Sequence, residues 1–131
     1  MKLAIDYGKN KIGLAITDEL EITAIEFGVL ENNNEMFLKL GEIIEKNKID
    51  TIIIGLPSSG SLEIEKFTLE ISTRFSIPVI NINEDFTTNE ANVILFNKTR
   101  SKSRINKQKK MNKDDAKVAQ ILLQTYLNSP I

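Results

Sequence analysis

The sequence predicts an α/β domain built on a five-stranded mixed sheet, the first three strands antiparallel and the fourth and fifth parallel to the first, flanked by helices. Two patterns carry this expectation. Three β-patterned runs follow one another across short joins, which favours an antiparallel meander, and strand and helix patterns then alternate as βα units do. A third observation concerns chemistry. Asp6 sets a charge inside an otherwise apolar strand that runs straight into a glycine turn, in AIDYGKNKIGLAIT. A carboxylate in that setting is costly unless something positive meets it.

Residues 2–7 and 11–17 read as strands joined by a turn containing Gly8, with Gly8 and Gly13 expected as turn and strand-packing glycines. After an acidic turn around Asp18 and Glu19, the run 21–30 alternates, placing Thr23, Ile25, Phe27 and Val29 on one face of a strand whose other face meets solvent. Helical spacing follows over 34–47 through Met36, Phe37, Leu40, Ile43 and Ile44. TIIIG at 51–55 is a buried-strand pattern, Ile64, Phe67, Ile71 and Phe75 mark a second helix, and Pro78 opens the strand VINI at 79–82. Thr87 and Glu90 form a capping box for a helix through Val93, Ile94 and Leu95. The last helix is expected from about 112 to 128, with Val118, Ala119, Leu122, Leu123 and Tyr126 along one stripe.

A chain of 131 residues, 41% hydrophobic and 27% charged, describes one compact domain spanning 1–131. It contains no apolar run of about 18 residues and no export-signal pattern, so a cytoplasmic location is expected. The absence of cysteine excludes disulfides, thiolate zinc sites and cysteine nucleophiles, and the absence of histidine excludes imidazole acid–base chemistry. Net charge is −1, but residues 91–113 hold eight of the 17 basic side chains and none of the 18 acidic ones. Those eight are Lys98, Arg100, Lys102, Arg104, Lys107, Lys109, Lys110 and Lys113. The segment, poor in apolar residues and without periodicity, is expected as a mobile loop. An acidic body bearing one dense cationic segment suits a polyanionic partner.

Three acids fall where such a sheet can bring them together. Asp6 lies in the first strand, Glu84 just past the C-terminal end of the fifth, and Asp115 on the apolar stripe of the last helix, three and four residues before Val118 and Ala119. Its neighbour Asp114 is rotated by about 100° and suits a helix cap instead. Three clustered carboxylates repel one another unless a divalent cation neutralises them, and an oxygen-only donor set selects Mg2+ or Mn2+ over zinc. A pair of such ions about 4 Å apart supports phosphodiester cleavage.

The order of these elements and four local strings resemble the YqgF family, also called RuvX, of ribonuclease H-like nucleases. The first string is Asp6, Gly8, Lys11, Ile12, Gly13; the second is Gly55-Leu56-Pro57; the third is Asn83-Glu84-Asp85-Phe86-Thr87-Thr88; the last runs from Asp115 to Leu123-Gln124-Thr125-Tyr126-Leu127. The resemblance covers nearly the whole chain and implies a ribonuclease H-like fold with catalytic, metal-binding acids at Asp6, Glu84 and Asp115. Where the family usually has Arg after the glutamate this chain has Asp85, and where it has an acid before it this chain has Asn83.

The expected function is that of a divalent-metal-dependent endonuclease acting on structured nucleic acid. Family resemblance implies maturation of the 5′ end of pre-16S ribosomal RNA, with branched DNA at a Holliday junction as the rival substrate. Lys11 and the basic segment from Lys98 to Lys110 are the expected nucleic-acid contacts, and a monomer or weak homodimer is the expected state. Two further readings stand beside it: an rRNA-binding factor of little or no activity, suggested by Asn83 and Asp85, and a phosphate-binding module like those of actin and Hsp70, suggested by Asp6-x-Gly8.

Overall fold

The computed structural model describes residues 1–83 and 115–128. Five strands form one sheet in the order β3-β2-β1-β4-β5: β1 (Lys2–Asp6), β2 (Lys11–Thr17), β3 (Ala24–Glu31), β4 (Thr51–Leu56) and β5 (Val79–Asn83). β2 is antiparallel to β1 and β3 to β2, whereas β4 is parallel to β1 and β5 to β4. The expected mixed sheet is therefore present. Its helices are α1 (Met36–Lys46), α2 (Leu62–Phe75) and α3 (Asp115–Asn128). The capping box at Thr87, the helix through Leu95, the basic segment and residues 112–114 of the expected last helix lie outside the described residues.

Alternation along the central strands divides the interior into two layers. Leu3, Ile5, Ile12, Leu14, Ile52 and Ile54 point one way and pack with Met36, Leu40 and Ile44 of α1 and Phe67 and Ile71 of α2. Residues at these helical positions recur every three or four places, so each helix offers one apolar stripe to the sheet. The layer is tight where the two helices meet, since a Cβ on Gly41 would stand 3.2 Å from the Phe75 ring. α2 begins at Ser61, whose hydroxyl accepts from the Ile64 amide at 3.2 Å, and ends at Ser76 in the left-handed conformation.

The opposite layer is thinner. Ala4, Ala15, Ala24 and Ile53 of the sheet meet Ala119, Leu122 and Leu123 of α3, with Ile82 at its margin. Small side chains on both sides bring the helix close to the strands. Its register comes from two glutamines that reach round the edge of the sheet. The Ala24 amide donates to Gln124 Oε1 at 2.8 Å, Gln120 Nε2 donates to the Ala24 carbonyl at 3.0 Å, and Gln124 Nε2 donates to the Ile22 carbonyl at 3.1 Å. The outward-facing backbone groups of Ala24, which an edge strand leaves without a ladder partner, are satisfied by side chains.

β3 departs from the expected alternation. Its register against β2 shifts between Leu14 and Ala15, where Leu14 pairs with Gly28 and Ala15 with Glu26, so Phe27 is the extra residue of a β-bulge. One added residue reverses the facing of everything beyond it. Ile25 lies on the side of Ile16 and Val29 on the side of Gly13, so these two residues occupy opposite faces rather than one, and Leu30 turns inward to pack on the α1–α2 layer. Ile25, Phe27 and Val29 remain 45%, 43% and 39% exposed.

The β2–β3 turn is held by Asp18, whose Oδ1 accepts the amides of Ile22 at 2.9 Å and Thr23 at 3.2 Å. Those amides keep the Asp18 carboxyl below its ordinary range. Glu21, beside it, is also held low, first by the hydrogen bond from Lys2 Nζ at 2.7 Å. Carboxyls with depressed folded-state pKa values stabilise the fold above their unfolded pKa, and that contribution is lost as pH falls through the folded value. Stability is accordingly expected to decline as pH drops below about 4, with a shallower decline in Glu21→Gln, as read by urea denaturation across an acid series. In the same assay at neutral pH, the double substitution Gln120→Ala and Gln124→Ala is expected to cost about 1–3 kcal/mol, because it strands the Ala24 backbone groups. Lys117→Ala, on the exposed side of α3, is expected to stay within about 0.5 kcal/mol of the parent.

Candidate nuclease site at the strand ends

β1, β4 and β5 are parallel, so all three finish at the same edge of the sheet. Asp6 is the last residue of β1, Leu56 of β4 and Asn83 of β5, with Leu56 in register with Asn83. Asp6 pairs with Gly13, just as Ala4 two residues earlier pairs with Ala15. Because Ala4 and Ala15 belong to the layer under α3, the Asp6 side chain stands on the α3 side of the sheet. It is half-buried.

Its neighbours on that face carry no side chains. Gly13 lies opposite on β2, and Gly55 of β4 follows Ile54, the partner of Ile5. Ile53 faces α3, so Gly55, two residues on, does also. The carboxylate at the end of the central strand is thus flanked on both sides by glycine, which leaves room around its oxygens. Gly13 therefore stands beside Asp6 as well as packing within β2, a placement that follows from the strand register and is not legible in β2 alone.

The turn that follows is fixed. A Cβ on Gly8 would lie 2.5 Å from the Lys11 carbonyl oxygen, closer than any side chain tolerates, so the turn requires glycine there for space. Asn32 Nδ2 donates to the Gly8 carbonyl at 2.8 Å, and the Asn32 amide donates to the Asn10 carbonyl at 2.8 Å. On the other side the Tyr7 ring packs against Phe67 at a tilt of 46°, ring centroids 4.6 Å apart, and its hydroxyl donates to Glu63 Oε2 at 3.1 Å. Burial, with Glu63 adding to it, pushes the Tyr7 phenol up, so it stays protonated and keeps that bond. β3, β1 and α2 are in this way tied to the residues next to Asp6.

Lys11 opens β2 at the same edge, exposed and two residues from Gly13, hence on the face that carries Asp6. The loop Ser58-Ser59-Gly60 and the start of α2 close β4's end of this edge, but they are poorly suited to phosphate. The Gly60 amide donates to the Pro57 carbonyl, Ser61 takes the Ile64 amide, and Glu63 and Glu65 make the first turn acidic.

The position of α3 follows from its glutamine clamp. Ala24 pairs with Thr17, and the Thr17 hydroxyl accepts the Lys2 amide at 3.1 Å, so Gln124 sits level with the beginning of β1. From there the four residues to Asp6 rise about 13 Å along the strand, and the nine residues back to Asp115 rise about 13 Å along the helix. α3 therefore runs antiparallel to β1, and its first turn reaches the edge where β1 ends. Of the remaining expected ligands, Glu84 and the side chain of Asp115 lie outside the described residues, as do Lys98, Arg100, Lys102, Arg104, Lys107, Lys109 and Lys110. Among the described residues no three acids gather closely enough to share a cation. None of the helices among the described residues is long and apolar enough to cross a membrane.

Comparison with known proteins gives this edge a context. A protein of Karelsulcia muelleri (strain GWSS), described as a candidate pre-16S rRNA nuclease, is 37% identical over 95% of this chain and 96% of its own. Proteins of the same description from Endomicrobium trichonymphae and Bacteroides thetaiotaomicron are 34% and 32% identical, covering 96% and 97% of this chain and 94% and 95% of theirs. The crystal structure of the fowlpox virus Holliday junction resolvase shares the fold, with a TM-score of 0.51 over 99% of both chains at 16% identity. The family model RuvX, described as Holliday junction resolvase, matches residues 1–129, and the chain belongs to that family.

Proposed function

We propose that the protein is a metal-dependent endonuclease that processes the 5′ end of pre-16S rRNA in the cytoplasm. The observation that carries this reading is the meeting of three chain segments at one edge: the end of β1 with Asp6, the end of β5, and the first turn of α3. Membership in the RuvX family and relatives described as candidate pre-16S rRNA nucleases support the substrate class.

The donors on hand suit a hard cation. The strand-end acid has carboxylate oxygens, room beside it at Gly13 and Gly55, and a chain without imidazole or thiol to compete. In this reading Asp6, Glu84 and Asp115 hold Mg2+ or Mn2+, with two ions the expected number. Glu84 directly follows β5 in the sequence, and Ile80 and Ile82 of that strand belong to the α3 layer. When bound, the cation supplies neutralisation of phosphate charge and a more acidic water. Asp6 would hold the cation at the end of β1, and the turn from Tyr7 to Asn10, fixed by Asn32, Phe67 and Glu63, keeps that carboxylate from swinging. Lys11, on the same face, meets the phosphate backbone, and the basic segment from Lys98 to Lys110 adds affinity that carries no sequence information.

Cleavage of branched DNA is the second reading, favoured by the family's description and by the viral resolvase fold. A resolvase acts on two strands and requires a two-fold dimer. Purified protein is therefore expected to trim a pre-16S rRNA fragment in Mn2+ or Mg2+ and to leave a four-way DNA junction intact; the reverse pattern, from a dimer, would select the second reading.

Asp6→Asn is expected to lower cleavage by at least about a hundredfold and to abolish the heat of Mn2+ binding in calorimetry, with circular dichroism unchanged. Retained cleavage with retained Mn2+ binding would remove Asp6 from the site. Gly8→Ala is expected to keep the metal but lower cleavage by up to about a hundredfold, since displacement of the turn by the Lys11 carbonyl misplaces the carboxylate.

A further inference from the structure

The hairpin formed by β2, β3 and their turn carries a surface that the nuclease edge does not use. From Asp18 to Glu31 the chain holds five acidic residues, Asp18, Glu19, Glu21, Glu26 and Glu31, and no basic one. Large apolar side chains are interleaved with them: Leu20 and Ile22 are 76% and 64% exposed, and Ile25, Phe27 and Val29 follow on the strand. β3 is an edge of the sheet. It contains neither lysine nor proline, and what keeps it from pairing with another copy of itself is the charge of Glu26 and Glu31 and the bulge at Phe27.

α3 covers only the beginning of that edge. Gln120 and Gln124 occupy the backbone groups of Ala24 and the Ile22 carbonyl; from Glu26 to Glu31 no side chain among the described residues is bonded to the backbone, and only the Glu31 carbonyl is engaged outside the sheet, by the Asn33 amide at 3.0 Å. The bulge at Phe27 places Ile25 and Val29 on opposite faces, so a strand laid beside β3 meets apolar side chains above and below its plane.

We infer that the β3 edge, from Glu26 to Glu31, is a docking site for an extended basic segment of a partner protein, which joins the sheet as a sixth strand with apolar residues alternating with lysine or arginine. Charge decides among occupants. A nucleic acid would bring phosphates to Glu19 and Glu26, and a second copy of this hairpin would bring five more acids. A basic strand brings backbone groups for the edge, apolar side chains for Ile25, Phe27 and Val29, and cations for the glutamates. Such a strand would stand three strand spacings from β1, about 14 Å away, and leaves the Asp6 edge accessible.

The probe is a synthetic peptide of alternating lysine and valine, of the same length as β3, added to the isotope-labelled full chain and followed by amide NMR and hydrogen exchange. Saturable shifts and added protection confined to Glu26–Glu31 are expected, with affinity about tenfold weaker for a peptide N-methylated on its bonding edge. Val29→Lys and the pair Glu26→Gln with Glu31→Gln are each expected to weaken binding by a similar factor, while Leu69→Lys, at an exposed position on α2, leaves it unchanged.

Shifts scattered over all acidic surfaces, insensitive to N-methylation, would overturn the proposal in favour of general charge attraction. The same amides responding to a single-stranded RNA oligomer would overturn it in favour of substrate. A dimer in sedimentation of the protein alone, broken by Val29→Lys, would assign the edge to a second copy.

Discussion

The contact on which the arrangement rests is the grip of two glutamine side chains on one alanine. Ala24 begins an edge strand, so its amide and carbonyl point away from the sheet, and Gln120 and Gln124 supply the partners that another strand would supply. An apolar layer alone would keep α3 against the sheet but would let it slide, because burial is non-directional. Directional bonds remove that freedom. They fix the last part of α3 beside the start of β1, and the rigidity of the helix transmits the placement to its first turn at the other edge.

Charge is distributed to match. The beginning of β1 is the anchoring edge, where Lys2 bridges Glu21 at 2.7 Å and approaches Asp50 at 3.7 Å. These pairs hold the start of β1 to the β2–β3 turn and to the residue that precedes β4. At the far edge the described acids include Asp6, Glu31, which pairs with Lys11, and Glu63 and Glu65 at the start of α2, while Lys11 faces the same side as Asp6.

Much of this was legible in the residues. A charge inside AIDYG singled out Asp6, because burial and ionisation conflict unless function resolves them, and the structure places it at the end of the central strand. The change from period two to period 3.6 after residue 31 marked where the meander gives way to βα units. Other features depend on pairing, which a single strand does not encode. The bulge at Phe27 is a property of β2 and β3 together; AIEFGVLE alternates well enough to suggest one continuous apolar face, yet the register shift divides it. Gly13 and Gly55 are 42 positions apart and become neighbours of Asp6 only through registers with β1. Gln120 and Gln124 look like the polar side of an amphipathic helix, and nothing local marks them as bonded to a residue about a hundred positions earlier.

The alanine layer has a consequence for how this fold can change. At Ala4, Ala15, Ala24 and Ala119 a single methyl group is all that each surface contributes to the separation of helix and sheet. One extra methylene at any of them acts as a shim, lifting the helix bodily and retuning a spacing at the far end that the altered residue never touches. The α1–α2 layer, filled by isoleucine, leucine and phenylalanine, can exchange shape for shape with little effect on that spacing. Drift is therefore cheap on one side of the sheet, and on the other the four smallest side chains keep the gauge.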